Sequence, residues 1–410
     1  MVKTLLLLVL AGGLVSTNFV FGKELDKKAK RIHEKALTID THCDTPMLMV
    51  RNNFDVGVKN TAPQSRVDFP RMKEGGLDAM FFAAFTGQRE RTAENTEKAY
   101  IMANNMIDVV YEACNKYSEM AEVATNSADA ARIDKTEKRA IYIGMENGFP
   151  IGKDIDRVKE FYMRGVRYIT LCHSSNNDIC DSSTDKKGAE HNGLSDFGVE
   201  VVKKMNELGM LVDVSHISDK SFFDVVKLSA APVIASHSSV RSIAHHNRNM
   251  NDEMIKTLAK NGGVIQICLL DSYIKDPDTT TVRFQKEKEL RIIFDTTFDS
   301  LTDEGKEELR KEWRSLGEKY PKELPTVADY VDHIDYVKNL VGIDYVGIGS
   351  DFDGGGGIDG CADVSEMPNI TEEMLTRGYT QDEINKVWGG NFFRVFNQVE
   401  KLAKSHNIYP

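Results

Sequence analysis

Eight short apolar runs, each bounded by polar or glycine-rich sequence, constrain the fold of this 410-residue chain more than any other feature. In chain order they are ALTID, AMFFAAF, AIYIGM, YITLC, LVDVS, PVIAS, GGVIQICLL and YVGIGS. A run of this length, rich in β-branched and apolar residues, reads as a buried parallel strand. Segments with helical character separate them, among them AENTEKAYIMANNMIDVVYEACNKY, KDIDRVKEFYMRG, LSDFGVEVVKKMNELG, SDKSFFDVVKLS and NDEMIKTLAKNG. Several open with Ser or Asp and stop at Gly, which are helix start and stop signals. Eight strand and helix units predict an α/β protein of the (β/α)8 TIM-barrel type. An open doubly wound sheet would carry a Gly-rich phosphate turn after its first strand. Here the first strand runs into THCD instead.

Six of the eight runs lead directly into ionisable residues: His42 and Asp44, Glu146, His173, His216, His237 and Asp351. In a barrel the C-terminal strand ends build the active site. Period-2 geometry sends His42 and Asp44 to one face and Cys43 to the other, so an imidazole and a carboxylate converge as mixed N and O ligands for a divalent metal, zinc first among them. His216 and His237 end neighbouring strands and are placed to share a second ion. Glu146 lies between the two pairs around the ring and has two oxygens, one for each ion of a binuclear site. Its bland alternative is a cap on the following helix. Asp351 opens a glycine-rich loop and is the candidate to carry a proton, with Asp353 as its rival. His173 is a candidate to stabilise an oxyanion, or else a structural histidine. Arg248 is a candidate to hold a carboxylate bidentately, or else a surface arginine, and His245 and His246 read as solvated loop residues.

The composition, 41% hydrophobic and 28% charged, suits a globular protein with an ample core. A net charge of -11 argues against nucleic acid as a partner. The start of the chain reads as a signal peptide over residues 1–22, with basic Lys3, the apolar core LLLLVLAGGLV and a small Gly22 before the cut. An uncleaved anchor is the competing reading. The expectation is a mature chain without a membrane span, periplasmic or extracellular, forming one domain over residues 23–410. A charged helical excursion at about 271–342 interrupts its last barrel unit, as a solvated face or else a lid or dimer contact. Cys43, Cys172 and Cys268 fall in predicted strands as small buried hydrophobes, whereas Cys114, Cys180 and Cys361 are freer to pair.

The pieces DTHCDTP, VDFPRMKEGGLDAMFF, GMENG, RYITLCHSSNN, GLSDFGVEVVKKMNELGMLVDVSH, VIASHSSVRSIAHHNRN, VGIGSDFDG and GGNFFRVF occur in an order and spacing that resemble the zinc-dependent membrane (renal) dipeptidases, in a bacterial secreted-type form. The resemblance covers roughly Ala36 to Phe396. It implies two zinc ions per chain, one on His42 and Asp44, the other on His216 and His237, with Glu146 bridging. It implies also that His173 and Arg248 position the substrate, that Asp351 handles the proton, and that a metal-bridging hydroxide cleaves free dipeptides. Tolerance of a C-terminal D-residue, activity on some β-lactams and homodimerisation come with the same likeness. Two departures stand out: the tail KLAKSHNIYP lacks the hydrophobic segment that precedes a glycolipid anchor, and the seventh run ends in an aliphatic ICLLDSY. The rival functions are a metal-dependent amidohydrolase or deaminase on the same barrel, whose sites commonly open with H-x-H, and a catalytically silent binding protein.

Overall fold

The computed structural model describes residues 27–405 apart from 53, 62 and 63, so the expected signal segment lies outside the described residues. Nine strands occur among them: β1 (Ile39–Cys43), β2 (Ala79–Phe85), β3 (Ala121–Val123), β4 (Arg139–Glu146), β5 (Val166–Thr170), β6 (Leu211–Asp213), β7 (Ile234–Ala235), β8 (Val264–Ile267) and β9 (Val346–Ile348). All but β3 follow one another in chain order around a single parallel sheet. These are the eight apolar runs of the sequence. The additional β3 has no apolar run behind it and pairs with the first residues of β4, Ala121 beside Arg139, while β5 pairs with β4 only from Ile143 onward. The ring nearly closes at its mouth. Cys43 forms a parallel bridge with Phe352, the Asp44 N–H donates to the Phe352 carbonyl at 2.9 Å, and the Asp351 N–H donates to the His42 carbonyl at 3.1 Å.

Alternate strand residues fill the barrel. Ile39, Ala79, Phe81, Ala140, Tyr142, Tyr168, Leu211, Ile234 and Val264 pack as one cluster, and Phe392 and Phe396 of the C-terminal helix Asn391–Ser405 close the floor beneath them. Phe81 meets Phe392 edge-on at 5.5 Å. The opposite strand faces pack against the surrounding helices in a larger second cluster. Helix ends follow the sequence signals. Ser195, Ser218 and Asn251 accept backbone N–H groups as N-caps, and Gly209 and Gly262 end their helices in left-handed conformations (φ 74° and 83°) that cost glycine nothing.

Between β8 and β9 the chain forms helices Asp271–Ile274, Val282–Thr296, Asp303–Lys319 and Val327–Val341. The last buries Tyr330, Val331, Ile334 and Val337 on the barrel. The middle two form a hairpin with a small core of its own, Leu290, Leu309 and Leu316, in which Phe294 and Trp313 cross edge-on at 5.5 Å. All six cysteines are buried, unpaired thiols. The expectation that Cys114, Cys180 and Cys361 are freer to pair is thereby corrected, because each turns into the core rather than onto a loop surface. Among the described residues no helix is long and apolar enough to cross a membrane.

One buried histidine makes stability depend on pH. His333 donates from Nε2 to the Ile274 carbonyl at 2.9 Å and accepts the Val240 N–H on Nδ1 at 3.0 Å, so both nitrogens are used in the neutral form. Burial pushes its pKa down from 6.5 to about 4. The unfolded chain therefore binds the extra proton first, and the stabilisation, complete above the unfolded pKa, is lost as pH falls from about 6.5 toward 4. Between pH 7 and pH 5 the loss is about 2 kcal/mol. Urea unfolding at the two pH values should show the native chain losing about that much more than His333→Gln, which cannot titrate; equal losses would contradict this account.

Candidate metal centre

The candidate residues meet at the mouth because of where the strands stop. In β4 the inward alternation of Ala140 and Tyr142 continues through Gly144 to Glu146, which stands at the strand end almost fully buried. Its two carboxylate oxygens face different partners. Oε2 lies 3.4 Å from His42 Nε2, whereas Oε1 lies 2.9 Å from His216 Nε2, 3.4 Å from His237 Nε2 and 3.7 Å from His173 Nε2. His216 and His237 bring their Nε2 atoms within 2.9 Å of each other. On the other side His42 Nε2 is 3.8 Å from Asp44 Oδ1 and 3.9 Å from Asp351 Oδ1. Three interlocking groups result: His42, Glu146 and His237; Glu146, His173 and His216; His42, Asp44 and Asp351.

Two of these residues hold strained backbones. His216 and Asp351 have φ of 71° and 59°, as does Asn147 beside Glu146 at 72°. Left-handed non-glycine residues of this kind cost of order 1–3 kcal/mol and gather at functional sites. The loop after Asp351 must be glycine for a different reason. A Cβ on Gly354 would sit 2.3 Å from Asp351 Oδ1 and 2.4 Å from Asp44 Oδ2, so the bare backbone lets both carboxylates lean into the mouth.

Burial opposes the charged form of His42, but Glu146, Asp44 and Asp351 outweigh it and raise that imidazole to about 10. Burial and the Glu146 charge push the Asp44 carboxyl up. Burial raises Asp351 to about 7, with Glu146 adding to it and His42 and Arg248 opposing. Burial works against ionised Glu146 too, but the surrounding imidazoles outweigh it and hold that carboxyl well below its usual range. His216 and His237 are pushed well down by burial, with Arg248 and neighbouring imidazoles adding to it, so both are neutral. Neutral imidazole is the form that binds metal. Two further atoms test the fit directly. His42 Nε2 and Asp44 Oδ1 are buried with no hydrogen-bond partner, and they point toward the same space. A buried polar atom left unpaired is costly, and a divalent cation between these two would satisfy both. The residues present therefore fit a metal with mixed nitrogen and oxygen ligands.

His173, about a quarter exposed, lies beside Glu146, its ring tilted between Phe85 at 4.7 Å and His216 at 4.3 Å. Arg248 is no surface residue. It is buried, donating to Ser238 Oγ at 3.0 Å and to the His237 carbonyl at 2.9 Å, with the Tyr273 ring 5.3 Å away. His245 is exposed as expected and pairs with Asp276 at 2.7 Å. His246 corrects the expectation, because it is half-buried, packs its ring tilted against Tyr273 at 4.7 Å and accepts the Arg248 N–H. Asp353 is unsuited to its rival role. Its oxygens accept from Thr45 Oγ1, Ser65 Oγ and the Arg66 N–H at 2.8, 2.9 and 2.6 Å, which ties the 64–66 loop to the mouth. Sequence reasoning missed Tyr168 and Ser236, which contact His42 and His237 from behind, and Asp213, which holds Ser236. An acidic residue, Asp213, inside the apolar LVDVS was the available signal.

A parallel α/β barrel with clustered imidazoles and carboxylates at its strand ends is the architecture of a metal-dependent enzyme. The profile of the membrane dipeptidase family (peptidase family M19) matches residues 26–410. Dipeptidase tcpJ of Claviceps purpurea (strain 20.1) is 31% identical over 377 residues, spanning 89% of this chain and 78% of the fungal protein. The probable dipeptidase PvdM from Pseudomonas aeruginosa superposes with a TM-score of 0.83 at 29% identity, covering 93% of this chain and 99% of its own. A metallo peptidase from Rhodobacter sphaeroides, solved with a phosphinate mimic of the dipeptide L-Ala-D-Ala, superposes with a TM-score of 0.72 over 88% of this chain and 99% of its own. At 22% identity that likeness carries the fold alone. The chain belongs to the membrane dipeptidase family. It is a metallo-dipeptidase, and membership implies a metal cofactor.

Gly354→Ala tests the crowding at the mouth. The added methyl group should displace Asp351 and Asp44, and a shift of about 1 Å at such a centre costs on the order of 100-fold in kcat/KM. Steady-state kinetics with a dipeptide, beside the melting temperature of the same preparation, checks this; undiminished turnover would show that the carboxylates tolerate the shift.

Proposed function

We propose that this protein is an exported binuclear zinc dipeptidase that cleaves free dipeptides, those with a C-terminal D-residue included. The observation that carries the reading is the division of Glu146, with one oxygen toward His42 and the other toward His216 and His237. In this reading His42 and Asp44 would hold one ion and His216 and His237 the other, with Glu146 offering an oxygen to each. The bound ions would supply Lewis-acid polarisation of the scissile carbonyl and an activated water.

The chain's own groups do the rest. Arg248, fixed by the His237 carbonyl and Ser238, takes the free C-terminal carboxylate of the substrate. His173, partly exposed above Glu146, donates to the oxygen that develops charge at the carbonyl carbon. Asp351, at the closing seam of the barrel, accepts the proton of the attacking water and delivers it to the departing nitrogen. Arg291, Phe294 and Trp313 of the hairpin Val282–Thr296 and Asp303–Lys319 line with Lys186 an open cavity of about 370 Å³. A clamp on the carboxylate favours cleavage of the C-terminal peptide bond. The signal-like start supports export, and the likeness to the family supports a homodimer, which sedimentation would weigh.

The test is hydrolysis of a dipeptide panel by the purified chain, with L-Ala-D-Ala and an N-acetylated control, before and after chelation and zinc restoration. Cleavage of free dipeptides should vanish on chelation and return with about two equivalents of zinc, and the blocked control should stay intact. No cleavage by a chain holding two zinc ions would sink the reading in favour of cyclic amides. Asp351→Asn should lower kcat by about 10²–10⁴ while zinc content is kept.

A further inference from the structure

The imidazoles of the centre are unequally supported from behind. His42 and His237 stack with ring centroids 3.8 Å apart, and each turns its Nδ1 to a buried hydroxyl. His42 Nδ1 lies 2.8 Å from Tyr168 Oη, and His237 Nδ1 lies 2.8 Å from Ser236 Oγ. The Ser236 hydroxyl donates to Asp213 Oδ2 at 2.6 Å, so its lone pair is what faces His237. Asp213 is itself fixed: its Oδ1 accepts the Ser215 and Ser236 N–H groups at 3.0 and 2.8 Å, and Thr170 Oγ1 donates to Oδ2. With Nδ1 of His237 as donor, its Nε2 lone pair is directed at Glu146. His216 has no such support, and its Nδ1 is buried without a partner.

Tyr168 reaches His42 only because of a gap in the neighbouring strand. Tyr168 belongs to the barrel interior, and Gly144 of β4 pairs in register with Tyr168 of β5. A Cβ on Gly144 would lie 2.2 Å from Tyr168 Cζ and 2.6 Å from its Oη. Gly144 has an ordinary strand backbone, absent from the positive-φ glycines, so its need is space and not conformation.

We propose that Tyr168 and the Asp213–Ser236 pair are positioning residues for metal binding, Tyr168 fixing the ring plane of His42 and the pair fixing the ring plane and tautomer of His237, and that Gly144 serves the same end through Tyr168. Outer-shell partners of this kind are worth about 10–100-fold in metal affinity. The inference rests on the ligand set proposed above, and its failure is separable from the failure of that set.

The experiment follows zinc loss from the full chain to excess chelator with a zinc indicator, beside kcat and KM for a dipeptide and urea unfolding of the zinc-free protein. Tyr168→Phe keeps the ring and removes only the hydroxyl. It should weaken zinc binding about 10–100-fold, as should Ser236→Ala, while Ser236→Thr, which keeps the hydroxyl, should bind as the native chain does. Gly144→Ala should resemble Tyr168→Phe, and the double variant should be no worse than either alone, since both act through one contact. Zinc retention equal to that of the native chain in Tyr168→Phe and Ser236→Ala would overturn the proposal, whatever happens to the stability of the zinc-free forms. Additive losses in the double variant would remove Gly144 from it. Failure of the native chain to bind zinc at all would instead defeat the ligand assignment.

Discussion

The carboxylate of Glu146 is the constraint on which the site turns. A carboxylate with almost no solvent contact carries a desolvation penalty of several kcal/mol unless charge is brought to it. The fold brings charge to one oxygen, through His42, and sets the imidazoles of His216, His237 and His173 around the other. The strand delivers Glu146 by simple alternation, but the next residue must leave the strand at once. Asn147 does so with φ 72°, and its amide donates to the Thr86 carbonyl at 2.9 Å while its Oδ1 accepts from Asn177 at 3.1 Å. Three successive strand ends are thus tied together beside the central carboxylate.

The other half of the centre depends on how the barrel closes. Between Asp40 and Cys43 the first strand advances three residues while β2 advances two, from Met80 to Phe82. That bulge changes which face the chain presents. Thr41 still points inward, reaching the Ser236 carbonyl at 2.6 Å, and His42 points inward directly after it. Asp40 steadies the irregularity by accepting the His42 N–H at 3.1 Å and the Ser350 N–H at 2.8 Å from across the seam. The seam that completes the barrel is therefore the same set of bonds that carries Asp351 to His42 and Asp44. A fault in closure would be felt first at the metal, which is why the stable cylinder and the reactive mouth cannot be varied independently here.

What was legible in the sequence is what depends on local pattern. Apolar runs gave the eight barrel strands, and a polar residue at the end of such a run stands at the mouth by topology alone, which is how Glu146, His216 and His237 could be found without coordinates. The short β3 escaped because AEV has no pattern of its own and pairs only because β4 offers a free edge below β5. The supports behind the imidazoles escaped for another reason. Tyr168 and Gly144 become partners through strand register, and a register shift of one residue lies between their strands. Arg248 was ambiguous because its loop looks solvated until the chain folds back, through the bridge of Val240 with Met250, and carries the guanidinium inward.

The placement of Arg248 also explains how a cleft this polar can measure its substrate. Its guanidinium is bonded to the main-chain carbonyl of His237, whose own imidazole belongs to the centre. In the proposed reading the clamp for the substrate carboxylate and the ligand of the reacting centre are thus consecutive groups of one rigid strand end, not two loops free to move apart. The separation between them is then set by covalent geometry and one hydrogen bond, and a substrate must place a free carboxylate and a peptide carbonyl at that separation. A dipeptide does so with its C-terminal residue alone. In a longer peptide the carboxylate lies farther from all bonds but the last, so the stiffness of one strand end selects the C-terminal peptide bond and needs no moving part.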